Sequence, residues 1–195
     1  IEMLPQILTF LDWDLAKLLE NHVRMHAANV ITDNPVTAFL GENGRLTGVR
    51  LKSGTELPCE LAVIAVGVRP NSTLARKAGL TVGERNGILV NEFLQTSDEH
   101  IYAVGDCIEV PNRLTGQFAP APYGDLANLE GRVAARNAIE GNHVRFPGTI
   151  QTGICKVFDF AAGSTGLSEK RAREMGFDAV SCVTSGLDKP HFMGA

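Results

Sequence analysis

The chain has 195 residues, of which 44% are hydrophobic and 21% are charged, so it can fold as one or two globular domains. Its formal net charge of −4 argues against a nucleic acid or an anionic membrane surface as the partner. The longest apolar run, residues 61–68, is too short to span a bilayer.

The four cysteines are widely spaced and form neither a C-x-x-C pair nor a metal-binding pattern, at positions 59, 107, 155 and 182. Reduced thiols in a cytoplasmic protein explain this spacing most simply. His22 and His26 are separated by one helical turn and could hold a metal ion. Because no third ligand is nearby in the sequence, we expect an ordinary helix surface there and no metal site.

The first third of the chain predicts one helix followed by β-structure. Residues 12–25 have helical apolar spacing, and residues 30–40, 46–51 and 55–59 predict a three-stranded antiparallel meander with a hairpin turn at Asn43-Gly44. Residues 61–67 are continuously apolar and end at a glycine, which predicts a buried parallel strand.

The middle of the chain predicts a short helix over 73–78, a β excursion over 80–90, and a helix over 127–139. Residues 146–148 indicate a boundary. Beyond it, residues 150–160, 168–175 and 177–185 predict a strand, a helix and a second strand.

Two segments of the middle region suggest a binding site. Residues 96–107 predict a short apolar strand that ends in Gly105-Asp106, and residues 122–131 predict a turn that opens a helix. A strand that ends in Gly-Asp places a carboxylate at the edge of a sheet, where open α/β sheets bind ligands. A helix start nearby offers free backbone N–H groups to an electron-rich ligand edge.

These two segments, with the order of elements before them, resemble the FAD-dependent pyridine nucleotide-disulfide oxidoreductases. The segments 156–159 and 164–169 are typical of the branch that contains NADH oxidases, NADH peroxidases and coenzyme A-disulfide reductases. The resemblance implies an α/β fold made of partial Rossmann-like domains. Residues 1–71 would end the NAD-binding domain, residues 72–146 would be the second FAD-binding segment, and residues 147–195 would begin an α+β interface domain.

The resemblance also implies a role for each candidate residue. In the flavin site, Asp106, which follows Gly105, would bond the ribityl chain, and Ala127 and Asn128 would present backbone N–H groups to the isoalloxazine. Pro122 and Tyr123 would form the wall of the pocket.

For the nicotinamide dinucleotide, the resemblance implies two further residues. Glu2 would bond the adenosine ribose and favour NADH, and Gly67 would let the backbone approach the dinucleotide.

Neither glycine-rich phosphate loop of that family occurs in the sequence, which predicts an internal piece of a larger, homodimeric enzyme. The redox-active cysteine of the family would then lie outside the chain, and none of the four cysteines present would replace it. Cys107 in particular follows a carboxylate, which disfavours the thiolate. The final acceptor stays open between a disulfide, a peroxide and oxygen. A ferredoxin- or rubredoxin-reductase-like flavoprotein, and a non-catalytic nucleotide-binding or dimerisation module, stay open as alternatives.

Overall fold

The computed structural model of the chain describes residues 1–186. Within these residues, four α-helices span Trp13–Met25 (α1), Thr73–Lys77 (α2), Gly124–Glu140 (α3) and Glu169–Glu174 (α4). The eight strands of this part of the chain span Val36–Glu42 (β1), Arg45–Leu51 (β2), Glu56–Pro58 (β3), Ile88–Leu89 (β4), Ile108–Pro111 (β5), Phe118–Ala119 (β6), Gly153–Val157 (β7) and Phe160–Ser164 (β8). No helix in this part of the chain has the length and hydropathy needed to cross a membrane.

Strands β1, β2 and β3 form the predicted antiparallel meander. The first connection turns at Asn43 and Gly44, which both have positive φ angles, 51° and 76°. Asparagine and glycine adopt this left-handed conformation more readily than other residues, so the Asn-Gly pair fixes the hairpin. The predicted mixed α/β class with a three-stranded meander is confirmed.

The main core lies between the sheet β4-β5-β6 and helix α3. Strands β4 and β5 are parallel, and β6 pairs antiparallel with β5. The buried apolar side chains of this core include Leu94, Ile108, Val110, Val133 and Ala134. Helix α3 buries one face through residues 130, 133, 134 and 137, at the spacing of one helical face, and so covers the sheet.

A smaller apolar cluster joins the start of α1 to the hairpin β7–β8. Leu11, Ala16 and Leu19 pack against Ala162 of β8 in this cluster. The backbone N–H of Glu169 donates to a carboxylate oxygen of Asp12 at 2.9 Å, which ties the start of α4 to the start of α1. The first and last parts of the described chain are therefore in contact.

Three predicted strands are wrong. Residues 61–67 form no strand, and the side chains of Val63 and Val66 are 83% and 91% exposed. A parallel strand needs a hydrogen-bonded neighbour, and no strand among residues 1–186 lies beside this segment. The single strand predicted over 150–160 is instead the β7–β8 hairpin, and residues 177–186 form no strand.

The strand predicted before Gly105-Asp106 is also misplaced. Residues 101–104 contain only one isolated bridge, between Tyr102 and Gln95, and a 3-10 turn follows at Gly105–Cys107. Strand β5 begins after this turn, at Ile108. The backbone of residues 94–103 turns back on itself, since Thr96 N–H donates to Ile101 and Ala103 N–H donates to Leu94. Asp106 therefore precedes a strand and does not end one.

Candidate cofactor site

The turn at Gly105–Cys107 lies directly against the first half of helix α3. Gly105 has a φ of 78°, a conformation that favours glycine. A Cβ atom placed on Gly105 would lie 3.6 Å from the Cβ of Ala127. Two predicted site residues from distant parts of the sequence, Gly105 and Ala127, are thus brought together.

Glu130 connects this turn to the helix through a hydrogen bond. The sequence analysis did not predict a role for this residue. Its side chain is 1% exposed, and its Oε2 accepts a 2.7 Å hydrogen bond from the backbone N–H of Gly105. Burial raises the pKa of Glu130, the Gly105 hydrogen bond lowers it, and the nearby charge of Asp106 raises it. The signal in the sequence was a glutamate in helical register with Val133, Ala134 and Asn137 on one apolar face.

Helix α3 begins three residues earlier than the sequence predicts, which changes the set of free N–H groups. Tyr123 is the N-cap, and the N–H of Ala127 donates to the Tyr123 carbonyl at 2.9 Å. The first turn of a helix leaves its leading N–H groups without intrahelical acceptors. The free groups are therefore those of Gly124, Asp125 and Leu126, while the N–H of Ala127 is bonded within the helix.

The two side chains after Gly105 differ in accessibility. Asp106 is exposed, so its carboxylate can reach a ligand, while Cys107 is partly buried and its Sγ lies 3.4 Å from the Val104 carbonyl. Burial raises the pKa of the Cys107 thiol, and the charges of Asp106 and Glu130 raise it further. A raised pKa keeps the thiol protonated and poorly nucleophilic.

Pro122 and Tyr123 directly precede α3. Pro122 is exposed, and Tyr123 faces β7, where a Cβ on Gly153 would lie 3.2 Å from its ring. A cleft of about 390 Å³ opens beside Tyr123, and its lining includes Arg171 of α4. Gly105 and Asp106 are outside the lining of this cleft.

The two residues predicted to contact a nicotinamide dinucleotide lie in other places. Glu2 is half-buried beside residues 31–34, and its Oε1 accepts the N–H of Leu4 at 2.8 Å. Gly67 lies in the exposed segment 61–68 with a φ of 96°. The structure thus assembles Gly105, Asp106 and Ala127 at one place, and it leaves Glu2 and Gly67 in two separate segments.

A family model described as pyridine nucleotide-disulphide oxidoreductase matches residues 1–123, which is more than half of the chain. The chain belongs to this family. The matched residues include the meander, the Gly105–Cys107 turn and the N-cap of α3. The resemblance drawn from the sequence motifs is confirmed.

Individual members of the family cover nearly the whole chain. An NADH oxidase of Methanocaldococcus jannaschii is 36% identical over 86% of the chain and 37% of its own length. A CoA-dependent NAD(P)H sulfur oxidoreductase of Pyrococcus furiosus is 34% identical over 93% of the chain and 40% of its own length. The solved structure of a NAD-dependent persulfide reductase from A. fulgidus is 44% identical, with a TM-score of 0.86 over 90% of the chain and 32% of that protein. The chain therefore spans well under half the length of these family members.

Proposed function

We propose that the full-length protein to which this chain belongs acts as an NADH-dependent flavoprotein oxidoreductase, and that this chain alone is inactive. The full-length protein passes electrons from NADH through FAD to a redox-active cysteine outside this chain, and from there to a disulfide, peroxide or oxygen acceptor. The observation that carries the proposal is the Gly105-Asp106 turn, held against the start of α3 by the buried carboxylate of Glu130. The names of the relatives support the same chemistry, since they include an NADH oxidase and a CoA-dependent sulfur oxidoreductase.

The groups at this turn suit a flavin. Asp106 offers an exposed carboxylate that can accept hydrogen bonds from the hydroxyls of a ribityl chain. The N–H groups of Gly124, Asp125 and Leu126 begin a 17-residue helix, whose positive end favours an electron-rich ligand edge. Ala127 and Asn128 follow in the same helix and would border the ligand through their side chains. FAD, when bound, would take hydride from NADH and pass on electrons one pair at a time.

For the dinucleotide, we assign the ribose contact to Glu2 and the close backbone approach to Gly67. A carboxylate at the ribose repels a 2′-phosphate, which favours NADH over NADPH. Glu2 already holds its local turn through the Leu4 N–H, so its side chain has a defined direction. Pro122 and Tyr123 would limit the flavin pocket on the side that faces β7.

We also propose that the full-length protein is a cytoplasmic homodimer whose interface includes residues 147–195, of which 187–195 lie outside the described residues. Exposed apolar side chains in this range support a covered surface, since Ile154, Val180 and Val183 are 81%, 91% and 70% exposed. A size measurement of the purified protein by light scattering tests the dimer.

The flavin assignment is tested by Asp106→Ala. In the full-length enzyme, the variant removes the only side-chain acceptor assigned to the ribityl hydroxyls, so we expect it to retain less flavin after purification than the wild type. Asp98→Ala, in an exposed part of the same segment, is the matched control and should keep its flavin. Full flavin content in Asp106→Ala would overturn the assignment.

The reaction itself is tested by anaerobic titration of the purified full-length protein with NADH while the visible spectrum is recorded. Uptake of two reducing equivalents before the flavin bleaches reveals a second redox centre and supports the cysteine-using enzyme. Immediate bleaching shows that flavin is the only centre, which favours a ferredoxin-reductase-like protein. A protein without flavin would be a non-catalytic nucleotide-binding or dimerisation module.

A further inference from the structure

His22 and His26 lie on one face of α1, one turn apart, and the fold brings a third potential ligand to them. Asp159 occupies the two-residue turn between β7 and β8, and this hairpin packs against α1. Potential ligand atoms of the three side chains all lie within 4.8 Å of one another. The fold thus brings to the histidine pair a third potential ligand that lies far away in the sequence.

The ring nitrogens of both histidines converge on the same carboxylate oxygen. Asp159 Oδ1 lies 2.8 Å from Nε2 of His22 and 3.8 Å from Nε2 of His26. Nδ1 of His26 lies 3.0 Å from the carbonyl oxygen of His22, to which it can donate. That hydrogen bond places the proton on Nδ1 and leaves the lone pair on Nε2, the arrangement that metal-bound histidines commonly have.

A simple histidine–aspartate hydrogen bond does not account for this geometry. Nε2 of His22 is buried and has no hydrogen-bond partner within residues 1–186, although Asp159 Oδ1 is only 2.8 Å away. The oxygen thus lies off the axis along which an imidazole N–H would donate. In a tetrahedral metal site each ligand atom points its lone pair at the ion. The ligand atoms therefore do not point at one another, although they lie close together.

Two phenylalanines hold the imidazole rings in place. The ring of Phe158 stacks on His26 with centroids 4.1 Å apart and an interplanar angle of 7°, and the ring of Phe160 lies 5.2 Å from that of His22. These contacts restrict the rotation of the two imidazole rings. The carboxylate remains accessible, because the Asp159 side chain is 81% exposed.

We propose that His22, His26 and Asp159 bind one divalent transition-metal ion of the Zn²⁺ class, with water completing its coordination. Two imidazoles and one carboxylate are a donor set that suits Zn²⁺ and its first-row neighbours rather than Mg²⁺ or Ca²⁺. Bonds of about 2.0–2.1 Å place tetrahedral ligand atoms about 3.3 Å apart, between the two distances seen at Asp159. The ion fastens α1 to the β7–β8 hairpin, which belong to distant parts of the sequence. This site does not depend on the flavin chemistry proposed above.

The test is isothermal titration of the metal-stripped, purified protein with ZnCl₂. We expect one Zn²⁺ per chain, with the affinity lowered at least tenfold in each of His22→Ala, His26→Ala and Asp159→Ala. His143→Ala is the matched control, because His143 also pairs with a carboxylate, that of Glu140 at 3.1 Å, and it should bind like the wild type. No binding by the wild type, or equal binding by Asp159→Ala, would overturn the site.

Thermal unfolding separates ligand loss from a folding defect. The exposed Asp159 side chain contributes little to folding, so Asp159→Ala should melt like the wild type without metal. Added Zn²⁺ should raise the melting temperature of the wild type and of His143→Ala, because an ion that binds only the folded state stabilises it. An equal rise in Asp159→Ala would show that the ion binds elsewhere.

Discussion

Two apolar segments of this chain differ in burial, since one is exposed and the other lies in the core. In the segment 61–68, Ile64 and Val66 are 67% and 91% exposed, whereas in strand β5 Ile108 and Val110 are each 1% exposed. Strand β5 has β4 on one side, β6 on the other and helix α3 over its face. The segment 61–68 has no such neighbours among the described residues. Apolar composition supplies the driving force for burial, but a hydrogen-bonded partner decides whether the backbone can leave water.

The candidate cofactor residues also differ in whether the core of this chain supports them. Gly105, Asp106 and Ala127 lie around a turn that the chain's own core supports, with Glu130 beneath it. Gly67 lies in the exposed segment. The proposed flavin contacts are therefore organised by residues of this chain, while no element among residues 1–186 organises the backbone around Gly67.

The largest expected effect comes from a matched pair of isoleucines. Ile108→Ala should lower the free energy of unfolding by about 2–5 kcal/mol, because it leaves a cavity in the core. Ile64→Ala should lower the free energy of unfolding by about 0.5 kcal/mol or less, as substitutions at other exposed positions do. Urea unfolding of the purified chain measures both. If both substitutions lowered the free energy of unfolding equally, residues 61–68 would be buried, and the contrast with strand β5 would be wrong.

A smaller effect is expected at the buried carboxylate beneath the turn. Glu130→Ala leaves the Gly105 N–H without its acceptor, so we expect a loss of about 1–3 kcal/mol in the free energy of unfolding. Glu130→Gln keeps an acceptor oxygen and should lose less. Denaturant unfolding of the two variants checks this order, and the reverse order would mean that the hydrogen bond contributes nothing.

Glu130 also makes the stability of the folded state depend on pH. Because burial raises the pKa of Glu130, the folded state holds the proton to a higher pH than the unfolded state does. Its contribution to stability is present below the ordinary glutamate pKa and is lost as the pH rises through the raised value. The wild type should therefore lose stability relative to Glu130→Gln between acid and neutral pH. A constant difference between them would contradict this assignment.

The smallest effect is expected at the thiol beside the turn. Burial and the two nearby carboxylates raise the pKa of Cys107, so it should react with iodoacetamide more slowly at neutral pH than the exposed Cys182. Mass spectrometry of the alkylated peptides compares the two rates. We also expect Cys107→Ser in the full-length enzyme to keep its turnover with NADH, and faster alkylation of Cys107 than of Cys182 would argue for a reactive thiol.

Sequence patterns were sufficient to predict those elements that depend on residues close together in the chain. The helix at residues 12–25, the hairpin at Asn43-Gly44 and the meander depend on side-chain spacing and turn chemistry within a few residues, so the sequence predicts them well. The strand at 61–67 failed because continuous apolarity does not show whether a partner strand is present. The start of α3 was missed by three residues because Tyr123 caps the helix without a side-chain hydrogen bond.

By itself, the sequence determined the family, the α/β class and the pairing of a Gly-Asp turn with a helix start, because these are encoded in short motifs and their order. Only the tertiary structure decided that Glu130 lies beneath Gly105, that the free N–H groups are those of residues 124–126, and that Asp159 meets His22 and His26. Those contacts join residues that are far apart in the chain, and their distances depend on how the elements pack.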